Sequence, residues 1–269
     1  MMEFLQYGFM QRALMAGVII GILCPMIGIF LVLRRMSMIG NSLSHVALSG
    51  VAAGMVSGIY PLAMALAFSV AAALGIELLR KKYSEYAELA MAVILSAGLG
   101  IAVVLISYAK SINVDLFGYL FGNIVTVRSG DMMLIAVLGS LIIAFVGLNY
   151  RELFYITFDE EGARIAGIPV KRVNLLFTVL IAMTITLSMR IVGALLVSSL
   201  MVIPVATGIQ LAKSFKQATL LSVVAAEVAA VSGIIASYYL ELASGGTIVL
   251  LSVALLMLVL GVKSLLRNI

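Results

Sequence analysis

Histidine occurs once in the sequence, at His45, and Asn41 precedes it by four residues, a spacing that sets both side chains on one face of a helix. An amide oxygen and an imidazole nitrogen placed together can meet one divalent cation, with imidazole suiting zinc and oxygen donors suiting manganese. The pair lies in Arg34-Arg-Met-Ser-Met-Ile-Gly-Asn-Ser-Leu-Ser-His-Val-Ala-Leu-Ser-Gly-Val-Ala52, near the start of an apolar stretch. An ionisable side chain in such a stretch is costly unless it lines a path or finds a partner. A hydrogen bond to a neighbouring helix satisfies the histidine equally well. A single chain also offers few ligands, since tightly held zinc takes about four. The second ionisable group in an apolar run is Glu227, about ten residues from either end of its run. It either faces a pathway or is a protonated acid hydrogen-bonded between helices.

Other chemistry is missing from the sequence. The phosphate-cradling pattern is approached only by Gly261-Val262-Lys263-Ser264, which lacks the glycine before the lysine, so no ATP site is expected in this chain. There is no nucleophile elbow and no His-Glu-x-x-His helix, and the chain reads as a non-enzyme. The lone Cys24 excludes a disulfide framework, a thiolate zinc site and an iron–sulfur cluster. The sixteen methionines are scattered, as suits gap-fillers between packed helices.

One polar stretch has the grammar of a short capped helix, namely Tyr155-Ile-Thr-Phe-Asp-Glu-Glu-Gly-Ala-Arg-Ile-Ala-Gly-Ile-Pro169. Thr157 or Asp159 can cap its start, Glu160 and Glu161 suit the positive end of the helix dipole, and Gly167 with Pro169 stops it. Ala163 and Gly167, four apart, leave a bare strip beside Phe158 and Ile165 that can seat in a groove on a partner protein. An ordinary interfacial helix has the same grammar.

The elements that must position these groups are membrane helices. The chain is 64% apolar and 11% charged over 269 residues, against roughly 25% charged for a soluble domain. Spanning the hydrocarbon core takes about 20 apolar residues. Stretches 8–33, 41–58, 60–79, 88–108, 130–149, 173–190, 192–212, 217–240 and 247–262 are candidates, 41–58 and 173–190 being the least secure. The fold expected is an all-α, polytopic transmembrane bundle of eight or nine spans forming a single domain over 1–269. Small residues such as Ala47, Gly50 and Gly54 let its helices approach closely. With the N-terminus outside and the C-terminus cytoplasmic, thirteen lysines and arginines fall inside and only Arg12, Lys110, Arg128 and Arg190 outside. That bias makes loop 151–172 cytoplasmic and accounts for the net charge of +5 without a nucleic-acid partner. The first eleven residues hold Glu3 and no lysine or arginine, so the first span is expected to be retained rather than cleaved.

Three stretches together resemble the zinc and manganese ABC permease family: Arg34 to Ala52, Phe158-Asp159 to Pro169-Val170, and Val192-Gly-Ala-Leu-Leu-Val-Ser-Ser-Leu-Met-Val-Ile-Pro-Val-Ala206. Asp115-Leu-Phe-Gly-Tyr-Leu-Phe-Gly122 and Ser244-Gly-Gly-Thr-Ile-Val-Leu250 fit the same pattern, so the likeness runs in order along nearly the whole chain. The resemblance implies a prokaryotic cytoplasmic-membrane permease working as a homodimer. Its expected partners are two cytoplasmic ATPases, which alone bind ATP, and an extracytoplasmic metal-binding protein. It also implies alternating access, a coupling helix at 158–169 carrying Phe158, Asp159, Ala163, Gly167 and Pro169, and a metal position at Asn41 and His45. Asp115 would stand near the outer entrance. Asn41 occupies a place where aspartate is usual, and Ser49 one where proline is common; the lost charge weakens the hold on a dication unless Glu227 supplies it. Imidazole and the cast of the motifs favour zinc as cargo, with manganese next and iron open. The rival functions are an ion-coupled secondary transporter and a membrane scaffold that holds a partner through the 158–169 helix.

Overall fold

The computed structural model describes residues 6–82, 87–108 and 113–267. Its elements are α1 (Gly8–Leu33), α2 (Met38–Ser57), α3 (Pro61–Lys82), α4 (Ala87–Tyr108), α5 (Asn113–Phe121), α6 (Ser129–Leu148), α7 (Tyr150–Phe158), α8 (Glu160–Ile165), α9 (Val170–Val192), α10 (Val197–Leu211), α11 (Phe215–Leu240) and α12 (Ser244–Arg267). A 3-10 turn covers Ile124–Thr126. Eight of these helices are long and apolar enough to cross a membrane.

α1 and α9 form the centre. α9 is buried over most of its length and packs on α1, α2, α3 and α6, while α1 packs on α6, α9, α10 and α11. α2, α3 and α4 form a tight trio. A methyl group on Gly50 would lie 2.6 Å from the Ala65 Cα, and one on Gly98 would lie 3.0 Å from the Val46 amide nitrogen. Only glycine permits these approaches, which lipid by itself does not drive. Outward faces of α4, α6 and α12 display Val104, Met133, Leu250 and Leu258, apolar surface that suits acyl chains.

The stretch 192–212, expected to be one span, is divided. Gly193 takes φ +85°, Ala194 donates its amide to the Tyr119 carbonyl at 2.7 Å, and helix resumes only at Val197. The 15 residues of α10 reach about 22 Å, short of the hydrocarbon core. α10 still runs between the two ends of the bundle. α9 finishes beside the start of α6, where Arg190 meets Asp131, and α11 starts where Phe215 packs on Phe30 and Phe154. The chain between α6 and α9, expected to hold one short helix, holds two, α7 and α8.

Candidate functional site

α2 is buried by its neighbours along almost its whole circumference. Ser42, Leu43, Ser44, Ala47, Leu48 and Ser49 are all covered, the Ser42 hydroxyl donating to the Met91 carbonyl of α4 at 2.9 Å. Asn41 and His45 are the exceptions in this stretch, each half-buried, and with exposed Met38 they mark one open line at helical spacing. Gly40 lets α10 approach close by, where an added methyl would meet the Ser198 Cβ at 3.4 Å. Ser49 turns its hydroxyl back to the Val46 carbonyl at 2.7 Å, so the departure from proline leaves α2 unbroken.

One end of the bundle is held by a buried ion pair that sequence reasoning missed. Asp131 Oδ2 accepts from the Arg128 amide at 2.8 Å and lies 3.2 Å from Arg190 Nε, while its Oδ1 accepts from the Tyr60 hydroxyl. The Arg190 guanidinium stacks 4.4 Å from the centre of the Tyr119 ring. Burial, then the bond to Asp131, pushes the Tyr60 phenol well above its ordinary range. In the sequence Arg190 reads only as an outer positive charge. The signal that could have found the pair is an aspartate opening one apolar span and an arginine closing another. Beside it, the Asp115–Gly122, Val192–Ala206 and Ser244–Leu250 stretches converge. Asn123 donates to the Arg190 carbonyl at 3.2 Å, Ser244 donates to the Ile191 carbonyl at 2.7 Å, and a methyl on Gly193 would lie 2.6 Å from the Gly122 nitrogen.

The opposite end carries α7 and α8. Tyr150, Phe154 and Phe158 recur every four residues on α7 and pack against Phe215 of α11, with Phe154 5.1 Å from it between ring centres. Asp159 caps α8 by accepting from the Gly162 amide at 2.8 Å, while Thr157 instead donates back to the Leu153 carbonyl. Gly167 at φ +84° closes α8, its amide bonding the Arg164 carbonyl while Ile168 reaches the Ala163 carbonyl. Pro169 precedes α9. The bare strip is turned inward at Ala163, which is fully buried. The exposed surface here includes Phe158, Glu161, Ile165 at 88% exposed, and Gly167. Arg34, from the turn between α1 and α2, reaches into this region and donates to Asn174 Oδ1 of α9 at 2.7 Å. Burial lowers its pKa from the ordinary guanidinium value, an effect that Glu160 partly offsets.

Glu227 stands on α11 against α1, where a methyl on Gly21 would lie 2.8 Å from its Oε1, and that oxygen has no hydrogen-bond partner among the described residues. α11 packs on α1, α10 and α12, whereas α2 packs on α3, α4, α9 and α10, so the helix of Glu227 and the helix of Asn41 and His45 have α10 as a common neighbour. Asp115 has its backbone in α5, and its side chain lies outside the described residues. Among the described residues no three of His, Cys, Asp and Glu come together as a metal-holding group.

Residues 6–263 match the ABC 3 transport family. A Treponema pallidum (strain Nichols) protein described as a probable metal transport system membrane protein is 38% identical over 95% of this chain and 96% of its own length. The manganese transport system membrane protein MntC of Listeria innocua is 34% identical over 92% of this chain and 88% of its own. Among solved structures, PsaBC from Streptococcus pneumoniae in complex with Fab superposes at a TM-score of 0.85 with 31% identity, covering 96% of this chain and 94% of the matched one.

Proposed function

This chain belongs to the ABC 3 transport family as the multi-pass membrane permease of a bacterial metal importer whose ATPase is a separate subunit, and from that premise we propose that it carries manganese past Asn41 and His45. The observation that carries the site is the open line on α2. Two ligand-capable side chains are left half-buried on a stretch of helix whose other side chains are packed. Facing lipid they would be costly; facing a second copy across a two-fold axis they supply a shared set of two imidazoles and two amides. Relatives named for manganese move the choice of cargo from zinc to manganese, and amide oxygens suit that ion.

The remaining assignments follow from the same arrangement. The Arg34, Arg80 and α8 end is taken as cytoplasmic, because alternating the spans along the sequence puts thirteen of the seventeen lysines and arginines on the side of Arg34 and Arg80. The Asp131–Arg190 end is then outside, with Asp115 at the entrance for ions delivered by a binding protein. α8 and its flanks, from Phe158 and Asp159 through Ala163 to Gly167 and Pro169, form the coupling element of a single permease domain. Phe158 and Ile165 touch the ATPase, Asp159 and Gly167 shape the helix, and Ala163 seats it on the bundle. ATP-driven closure of two ATPase subunits moves this element and alternates access to the path. Glu227, wedged against α1, is assigned no contact with the ion.

The test is uptake of radiolabelled manganese by cells expressing the chain with its ATPase, comparing wild type with His45→Ala and adding excess zinc as competitor. Uptake lost in the variant and unmoved by zinc is expected. Uptake unchanged by His45→Ala would remove the metal position, and labelled zinc entering in place of manganese would reverse the cargo.

A further inference from the structure

We propose that Arg34 is the positioning residue that carries displacement of α8 to α2, and thereby to Asn41 and His45. The inference rests on the reading of α8 as the ATPase-coupling element.

The turn holding Arg34 has no slack. Met36 donates to the Leu31 carbonyl at 2.8 Å and Arg35 to the Val32 carbonyl at 3.1 Å, with Arg35 in the left-handed region at φ +56°. This is the two-bond closure that usually takes glycine. Ile39 then donates to the Met36 carbonyl at 3.0 Å, so α2 begins directly on the closed turn. Whatever moves the backbone of Arg34 moves the first turns of α2, where Asn41 lies in the opening turn and His45 about one turn further on.

The side chain supplies the other half of the linkage. It is 7% exposed, its guanidinium carbon lies 5.8 Å from the centre of the Phe177 ring, and the nitrogen that binds Asn174 also lies 3.9 Å from Glu160 Oε2 at the start of α8. α8 itself packs on α7 and α9. Between it and the turn is a cavity of about 810 Å³, lined by Arg34, Arg35, Arg80, Glu88, Phe158 and Glu160 among others. Across that space the connection is ionic rather than close-packed. Glu160 has a second choice, since Arg164 of its own helix lies 3.7 Å from its other oxygen. A carboxylate between two arginines has two discrete pairings, and a shift of α8 selects between them while Asn174 keeps the Arg34 fork in place.

The experiment uses the full chain reconstituted with its ATPase in proteoliposomes, reading phosphate release and radiolabelled manganese uptake together. Arg34→Gln is expected to assemble, to release phosphate within about twofold of wild type, and to move at least about fivefold less manganese per ATP. Glu160→Gln is expected to lower the same ratio, and the double variant to lower it no further, because both act through one contact. A wild-type ratio in Arg34→Gln, or losses that multiply in the double variant, overturns the proposal. If Arg34→Gln does not assemble, Glu160→Gln decides alone: a reduced ratio supports the linkage and a wild-type ratio ends it. The doubly changed Phe158→Ala, Ile165→Glu chain separates the two readings. Should it retain the ATPase, the coupling role of α8 falls and the proposal falls with it. Should it lose the ATPase while Arg34→Gln behaves as wild type, only the proposal fails.

Discussion

Replacing Asp131 by alanine takes three partners away at once: the Arg190 guanidinium, the Tyr60 hydroxyl and the Arg128 amide. The Asp131 side chain is 0% exposed and that of Arg190 is 9%, so water can replace little of the lost charge pairing. Breaking such a buried pair costs about 3–5 kcal/mol. The two hydrogen bonds add about 1 kcal/mol, less than their full worth, because Tyr60 is only partly covered and can turn to water. At roughly 2–4 °C per kcal/mol for a chain of this size, the melting temperature should fall by on the order of 10–20 °C. Fluorescence-detected size exclusion of detergent-solubilised protein after stepwise heating reads that fall directly. Asp131→Asn, which keeps an acceptor for Tyr60 but not the charge, should lose about half as much. Combining Asp131→Asn with Arg190→Met removes both charges and should recover most of the loss, a coupling of at least about 2 kcal/mol in the double-mutant cycle. Asp131→Ala melting within about 2 °C of wild type, or a double variant that loses the sum of the singles, would refute the reasoning.

Asn41→Asp adds a charge beside His45 and should lower half-saturating manganese about tenfold, a small part of the carboxylate–dication attraction; uptake kinetics that do not change would place Asn41 off the path. Gly28→Ala would drive a methyl into the Met201 carbonyl of α10, backbone that cannot rotate away, so folded yield should collapse. Gly261→Ala, with nothing within 4 Å of the added methyl, should express as wild type. The Tyr60 phenol is raised in the folded protein, so its contribution is fully present below the unfolded pKa of about 10 and is lost as pH rises beyond it. Melting temperatures measured at pH 8 and pH 11 should therefore diverge more in wild type than in Tyr60→Phe, and equal slopes would contradict the assignment.

Much of the architecture was legible because membrane helices announce themselves locally. The edges of α1 and α4 fall within a residue of the apolar runs read from the sequence, since leaving lipid is signalled by the next polar residues. The α8 cap at Asp159 and its stop at Gly167 were legible for a similar reason, each satisfying groups within a few residues. The 192–212 stretch misled because its composition is apolar throughout, while the break at Gly193 depends on α5 lying against it. The bare strip of α8 was visible as a pattern, but nothing local could say that Ala163 faces the bundle and Ile165 the outside.

By itself the sequence determined a polytopic helical chain, the edges of spans such as α1 and α4, the helical register that puts Asn41 and His45 on one face, and a likeness specific enough to indicate the family. Tertiary structure alone decided that this face is the open one on α2, that Asp131 pairs with Arg190 across 59 positions, and that Arg34 meets both Asn174 and Glu160. The physical reason is that a helix satisfies its own backbone in lipid, so hydropathy and capping are settled residue by residue. Which faces meet is settled by close approach at glycines and by a few buried polar pairs, whose partners lie far away in the chain.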